Sequence, residues 1–249
     1  MLSFLILALA GLAAGALNAV AGGGTFLSFP ALVWTGVPPI TANATATLAA
    51  LPGYLSSAWA FRHELRHKGP MALRTILIAA VAGGFLGALL LLITPEKLFA
   101  GVVPWLLLLA TAAFAFGPLL LKALQRSGRT MGAVSAFALL MAVTIYGGYF
   151  NGGLGIMLLA ALGLIGFTDL HAMNGLKNLV SAVLSLVSVV TYAIAGLIDW
   201  QAVLVLGIAS AIGGYLGAHL SKRITNMALL RGFIIAVGLV MAAVFFARG

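Results

Sequence analysis

The chain has 249 residues, of which 63% are hydrophobic and only 7% are charged. A membrane-spanning helix needs about 20 mainly apolar residues, and most stretches between the charged clusters are that long, which excludes an ordinary soluble domain. The formal charge of +9 lies in short loops between apolar runs, where it marks membrane topology, and no nucleic-acid partner is expected.

The first half of the chain, residues 1–121, predicts a long apolar segment, a glycine break, a short segment and three full spans. In chain order these elements cover 2–20, 24–36, 42–61, 71–93 and 98–121. The short segment has about 13 residues and reaches about 20 Å into an apolar layer about 30 Å thick. It is therefore expected to re-enter the membrane without crossing it. Residues 122–130 are predicted to be a cytoplasmic linker.

The second half, residues 131–249, repeats the same layout. A shift of 130 residues places Gly22 and Gly23 on Gly152 and Gly153, and the glycine-rich part of the fourth segment matches as well. The predicted elements cover 131–150, 154–166, 171–196, 200–220 and 226–247. Such an internal duplication is a common origin of transporter folds.

Loop charges predict how the two halves lie in the membrane. Ten of the 13 basic residues fall in the loops 62–74, 122–130 and 222–231, which the positive-inside rule places in the cytoplasm. The loop that corresponds to the first of these, 196–199, carries no cation and one acid. We therefore predict an all-α polytopic membrane protein with about 8 to 10 hydrophobic segments, built as an inverted-topology repeat. A parallel arrangement of four spans per half would leave fewer cations inside.

The two glycine breaks are the first candidate site. They comprise Gly22, Gly23, Gly24 and Thr25 in the first half, and Asn151, Gly152 and Gly153 in the second. Broken helices in transporters line protected cavities, because unpaired backbone groups cannot face lipid. A helix that starts after such a break directs free N–H groups and partial positive charge toward an anion. The alternative is that these glycines only allow close helix packing.

The eighth predicted segment carries a second candidate site. Its polar residues follow spacings of three and four, which places them on one helical face. They are Asn174, Asn178, Ser181, Ser185, Ser188 and Tyr192. Lys177 lies beside this stripe and is predicted to supply a positive charge to the substrate cavity. Two alternatives stay open: the stripe can be a packing or dimer seam, and Lys177 can extend to the headgroups.

The four acidic residues fall in loops or at span ends, so the buried carboxylates typical of a cation carrier are missing. The substrate is therefore expected to be an anion or neutral. The chain has no cysteine, and no nucleophile and base, metal ligands or nucleotide motif stand at a recognisable spacing. We expect neither an enzyme nor a bound cofactor or metal.

The segment AGGGTFLSFPAL, followed by Gly36 and Ala42, is repeated weakly as NGGLGIMLLAAL with Gly166 and Ala172. These segments and the duplicated layout resemble the TauE/SafE family of sulfite exporters, also called the sulfonate uptake permease family. The resemblance covers essentially the whole chain and implies a bacterial or archaeal carrier of sulfite, sulfonates or related organosulfur anions in the cytoplasmic membrane. The second repeat has Leu154 in place of a third glycine, so a site there need not mirror the first.

The leading expectation is a secondary transporter that moves a small sulfur-containing anion by alternating access. Two other functions stay open, namely a channel or facilitator for small neutral solutes and a membrane subunit that transports nothing. The expected partners are the anionic substrate and the lipid bilayer, and a homodimer is left open.

Overall fold

The computed structural model describes residues 2–20, 23–62, 69–127, 131–221 and 227–248. Gly22 and much of the basic loops, including Lys68, Arg129 and Lys222, lie outside the described residues. The predicted role of Gly22 and the loop charges used for topology are therefore predictions from the sequence alone.

Within the described residues the chain forms ten α-helices and no strand, which confirms the all-helical prediction. They are α1 Leu2–Val20, α2 Thr25–Trp34, α3 Pro39–Ala60, α4 Leu73–Ile93, α5 Glu96–Ser127, α6 Ala133–Tyr149, α7 Leu154–Ile165, α8 Leu170–Ile194, α9 Trp200–Ser221 and α10 Met227–Arg248. Each helix coincides with a predicted segment to within a few residues at its start. The largest difference is at the end of α5, which continues through the first six residues of the predicted linker.

Among the described residues, three helices are long and apolar enough to cross a bilayer. These are α4, α8 and the Glu96–Gly117 part of α5. In contrast α2 and α7 have 10 and 12 residues, so at about 1.5 Å per residue neither can cross an apolar layer about 30 Å thick. Both short helices are largely buried, and each contributes to one of the two main apolar clusters.

Three acidic residues hold helix starts in place. Glu96 Oε1 accepts a hydrogen bond from the Ile40 N–H at the start of α3, at 3.0 Å. Asp169 caps α8 and Asp199 caps α9, each by accepting from a backbone N–H of the helix that follows. A carboxylate at a helix N-terminus satisfies a free donor and the positive end of the helix dipole. This explains why these acids stand at span ends.

The helices of the two halves are interleaved. The first helix of each half packs along the fourth helix of the other half: α1 packs along α9, and α6 packs along α4. The contacts of α5 with α7 and of α10 with α2 form a second exchanged pair. Glycines allow this close approach, since Gly15 faces the Ser210 carbonyl and Gly83 faces Thr144. The close packing of α1 on α9 and of α4 on α6 thus depends on glycines.

The corresponding helices α3 and α8 run in opposite directions against each other. Thr45, near the start of α3, accepts a hydrogen bond at 3.1 Å from the N–H of Asp199, which lies past the end of α8. Tyr54, nine residues later in α3, packs on Ala182 in the middle of α8. As the chain of α3 advances, its contacts therefore move toward the start of α8.

Candidate functional site

The second glycine break joins the end of α6 to the start of α7. Gly153 has a left-handed backbone conformation, with φ 72°, which side chains with a β-carbon rarely adopt. A β-carbon there would also stand 2.7 Å from Ala110 Cβ of α5. Local backbone geometry and packing on α5 therefore both require this glycine.

Side chains from three helices fix the second break. Asn151 is buried, its Oδ1 accepts from the Tyr54 hydroxyl of α3, and its Nδ2 donates to Ser185 Oγ of α8, both at 3.1 Å. Three carbonyls around the break also accept hydrogen bonds from side chains. The pairs are Tyr192 with the Gly148 oxygen, Asn43 with the Tyr149 oxygen, and Tyr146 with the Gly152 oxygen. The break is thus an ordered part of the protein interior.

The first glycine break, between α1 and α2, is held differently. The Gly24 N–H donates to Asn18 Oδ1 of the preceding helix at 2.7 Å. Gly23 lies beside the edge of Phe114 on α5, and Thr25 starts α2 with a buried side chain. Beside this break is a narrow crevice without room for a water molecule, whose polar wall residues are Asn18, Ser28 and Ser210.

Tyr54 joins the two breaks. Its side chain hydrogen-bonds with Thr25 of the first break and donates to Asn151 of the second. Phe29 of α2 and Phe150 of the second break make an edge contact, with ring centroids 5.6 Å apart. Thr25 and Asn151 were predicted at separate breaks. In the structure both side chains lie next to Tyr54, in the centre of the protein.

The polar stripe of α8 divides into two parts. Towards the C-terminal end of the helix, Ser185 binds Asn151, Ser188 donates to the Gly84 carbonyl at 3.0 Å, and Tyr192 donates to the Gly148 carbonyl. These three residues fit the packing alternative. Towards the N-terminal end, Ser181 is 1% exposed and its hydroxyl has no partner among the described residues.

Lys177 belongs to that N-terminal part and is 8% exposed. Its amine donates to Asn174 Oδ1 at 3.2 Å, a neutral partner one turn away. The neighbouring Asn178 is 7% exposed. Lys177 precedes Ser185 by about 12 Å along the helix, at about 1.5 Å per residue, so it does not contact the breaks directly. It is a buried ammonium with donors to spare, and no carboxylate of the described residues contacts it.

Sequence reasoning missed four residues that organise the breaks, namely Asn18, Asn43, Tyr54 and Tyr146. Asn43 stands among the threonines at 41, 45 and 47, which was the available signal, whereas Asn18, Tyr54 and Tyr146 follow no polar pattern. Chemically, the arrangement offers hydroxyl, amide and ammonium donors. Among the described residues no group of three histidines or carboxylates could hold a metal.

The described residues form ten helices, three of them long and apolar enough to cross a bilayer, which indicates a helical membrane protein. The sequence profile of the family described as "Sulfite exporter TauE/SafE" matches residues 7–245. The chain therefore belongs to this family, which confirms the resemblance seen in its glycine motifs.

Several curated relatives carry the name of a membrane transporter. A "probable membrane transporter protein" of Haemophilus influenzae is 31% identical over 247 residues, which cover 96% of this chain and 92% of the relative. "Probable membrane transporter protein ORF9" of Sinorhizobium is 29% identical over 84% of this chain and 78% of the relative. "Probable membrane transporter protein YfcA" of Escherichia coli K12 is 27% identical over 92% and 84%. No solved structure matches the chain.

Proposed function

We propose that the protein is a secondary transporter that carries a small sulfur-containing anion, such as sulfite or a sulfonate, across the cytoplasmic membrane. The observation that carries this proposal is the buried ammonium of Lys177 beside the unpartnered hydroxyl of Ser181. A charge inside a membrane helix costs about 2.5 to 3.5 kcal/mol on insertion scales. Residues of this kind are retained at substrate and ion pathways, and an oxyanion can accept from both donors.

Family membership supports the same proposal, because the family is described by sulfite export and the relatives are named as transporters. The choice among sulfite, sulfonates and other organosulfur anions rests on that description. The direction of transport is left to experiment.

The antiparallel pairing of α3 and α8 supports an inverted repeat, since corresponding helices of a parallel repeat would run the same way. In inverted-repeat transporters the site lies between the halves, and one group of helices rocks against another to give alternating access. The position of Tyr54 between the two breaks fits such a site. On this proposal the substrate pathway has two stretches, with Lys177 about 12 Å along α8 from the level of the breaks. The stretch at the breaks is lined by Gly23, Gly24, Thr25, Asn151, Gly152 and Gly153, and the stretch nearer the start of α8 by Asn174, Lys177, Asn178 and Ser181.

Transport in proteoliposomes separates the three candidate functions. We expect uptake of labelled sulfite or a sulfonate to be accelerated by the same anion inside the vesicles, because a carrier returns faster when loaded. A channel for neutral solutes would show no such acceleration, and a non-transporting subunit would show no flux. Acetate serves as the anion control, since it lacks sulfur.

The role of Lys177 is tested by Lys177→Gln beside Lys97→Gln, whose lysine is exposed at the start of α5. A hydrogen bond to a charged group contributes about 1.5 to 3 kcal/mol, which corresponds to a loss of roughly 10-fold to 100-fold in apparent anion affinity. We expect this loss for Lys177→Gln alone, with normal amounts of protein in the membrane. Equal, wild-type affinity in both variants would remove Lys177 from the site.

The inverted repeat predicts reporter locations. A reporter after Lys68, Gln125 or Lys222 should be cytoplasmic, and one after Asp199 or at the C-terminus should be outside. Reporters after Asp199 and Lys222 on the same side would contradict the inverted arrangement, whatever the transported anion is.

A further inference from the structure

Asn43 on α3 has an acceptor that nothing in the described structure uses. Its side chain is 0% exposed, and its Nδ2 donates to the Tyr149 carbonyl at 2.9 Å. Because a carbonyl oxygen can only accept, this bond fixes which end of the amide is nitrogen. The buried Oδ1 has no donor partner. An isolated polar atom of this kind is unfavourable unless a water or an ion binds it.

The Asn43 side chain lies at the C-terminal end of α6, where the helix stops before the second break. Two of the last carbonyls of this helix, those of Gly148 and Tyr149, each accept one side-chain donor. A carbonyl has two lone pairs, so both oxygens keep capacity for a second partner. The end of a helix also carries partial negative charge. Half-helix C-terminal ends and unwound carbonyls coordinate small cations in membrane carriers.

A carboxylate stands near this cluster. Glu96 accepts from the N–H of Ile40, which is one helical turn before Asn43. One turn further along α5, Phe99 packs edge-on against the Tyr149 ring, with centroids 5.6 Å apart. The start of α5 therefore lies over the same region, and Glu96 brings a carboxylate near the cluster without contacting the amide oxygen.

We propose that Asn43 Oδ1 and the carbonyl oxygens at the end of α6 form a binding site for a small monovalent metal cation such as Na⁺. The ligands are neutral oxygens, which suit a singly charged ion, because a divalent ion in a dry site would need carboxylate ligands to balance its charge. The site has no counterpart in the other half, where the position of Asn43 is taken by Met173. It does not depend on which anion, if any, the protein transports.

Direct binding to the purified protein tests the site without any transport assay. Thermal unfolding is followed while NaCl replaces choline chloride at constant ionic strength. A ligand of the folded state stabilises by mass action, so Na⁺ at ten times its dissociation constant should lower the unfolding equilibrium constant about 11-fold. A stabilisation that saturates with Na⁺ is expected, whereas identical unfolding in the two salts would overturn the proposal.

Variants of Asn43 distinguish whether its Oδ1 binds a Na⁺ ion or only a water molecule. Asn43→Ala should lose the Na⁺ response, and Asn43→Asp should keep it because it retains the oxygen and adds charge. Thr144→Ala is the matched control, since it removes a buried hydrogen bond to the Ala79 carbonyl but lies away from the break. A full Na⁺ response in Asn43→Ala would show that the oxygen binds only water. If that variant does not fold, the absence of a response in Asn43→Asp decides against the site.

Discussion

The two glycine breaks occupy matched positions in the halves, yet they are stabilised in different ways. In the second break, side chains of α3, α6 and α8 bind Asn151 and the carbonyls around it. In the first break, Asn18 binds the Gly24 N–H from within the same half. Among the described residues, side chains of three helices therefore brace the second break, whereas the side-chain bonds to the backbone of the first come from Asn18 and Ser28 of its own hairpin.

The residues that surround the two breaks also differ, because they are more polar at the first break than at the second. The first break is bordered by the polar side chains of Asn18, Ser28 and Ser210. The corresponding positions of the second half are Gly148, Leu158 and Ala80, and the last two belong to a packed apolar cluster. A densely packed apolar cluster resists rearrangement, whereas a segment with few buried apolar contacts opens more easily. We therefore expect the first break to be the more adaptable one during transport.

The largest effect is expected for Gly153→Ala, which is compared with the same substitution at the matched position of the first break. Gly153→Ala places a β-carbon on a left-handed backbone, which costs about 1 to 2 kcal/mol, and presses it on Ala110, which adds about 1 to 3 kcal/mol. At the matched position, Gly23→Ala meets the edge of the Phe114 ring at 3.0 Å, and a ring edge can shift. Unfolding in detergent should show a large loss for Gly153→Ala and a small one for Gly23→Ala.

Transport by the two variants sharpens that comparison. Gly23→Ala should insert normally and keep most of its transport, because the first break can adjust. Equal losses of stability at both positions would contradict the difference between the breaks. Normal transport by both variants would leave the two glycines as packing residues only.

A smaller effect is expected for Asn151→Ala, which removes the amide that links α3 to α8. Tyr54 keeps Thr25 as a partner, and Ser185 can turn to a carbonyl of its own helix, so only part of the buried hydrogen bonding is lost. We expect a loss of about 1 to 3 kcal/mol in unfolding free energy. Thr144→Ala is the control, since it breaks a buried bond to the Ala79 carbonyl and lies away from the break. A loss no larger than that of the control would show that Asn151 is not the main brace.

The helices could be predicted well from the sequence, because long apolar runs separated by glycine, proline and charge leave few alternatives. The extension of α5 to Ser127 was missed, since charged residues after a span suggest a loop, although lysine, arginine and glutamine are good helix formers. The interleaving of the halves could not be derived, because a repeat in sequence does not state which surfaces face each other.

The candidate site was predicted in part. The glycine breaks are visible because adjacent glycines, three in the first half and two in the second, interrupt apolar segments, and the α8 stripe is visible through its spacing. Tyr54 was missed because a lone tyrosine in an apolar helix gives no pattern, and its role follows only from its position between Thr25 and Asn151. Lys177 is buried within α8, and its role in the site stays a prediction.

The smallest effect is expected for Asn18→Ala, and it tests the first break alone. Asn18 Oδ1 takes the place of a cap for α2, whose residue Gly24 has no side chain to accept from the helix. Loss of such a cap costs about 1 kcal/mol. Hydrogen exchange measured by mass spectrometry should therefore become faster in peptides over 18–26 and stay unchanged over 148–156. Tyr146→Phe is the matching variant for the second break, because it removes the hydrogen bond to the Gly152 carbonyl. It should speed exchange in the 148–156 peptide only. Faster exchange at both breaks in either variant would mean that the two breaks open together through Tyr54, and the comparison between an adaptable and a braced break would then be wrong.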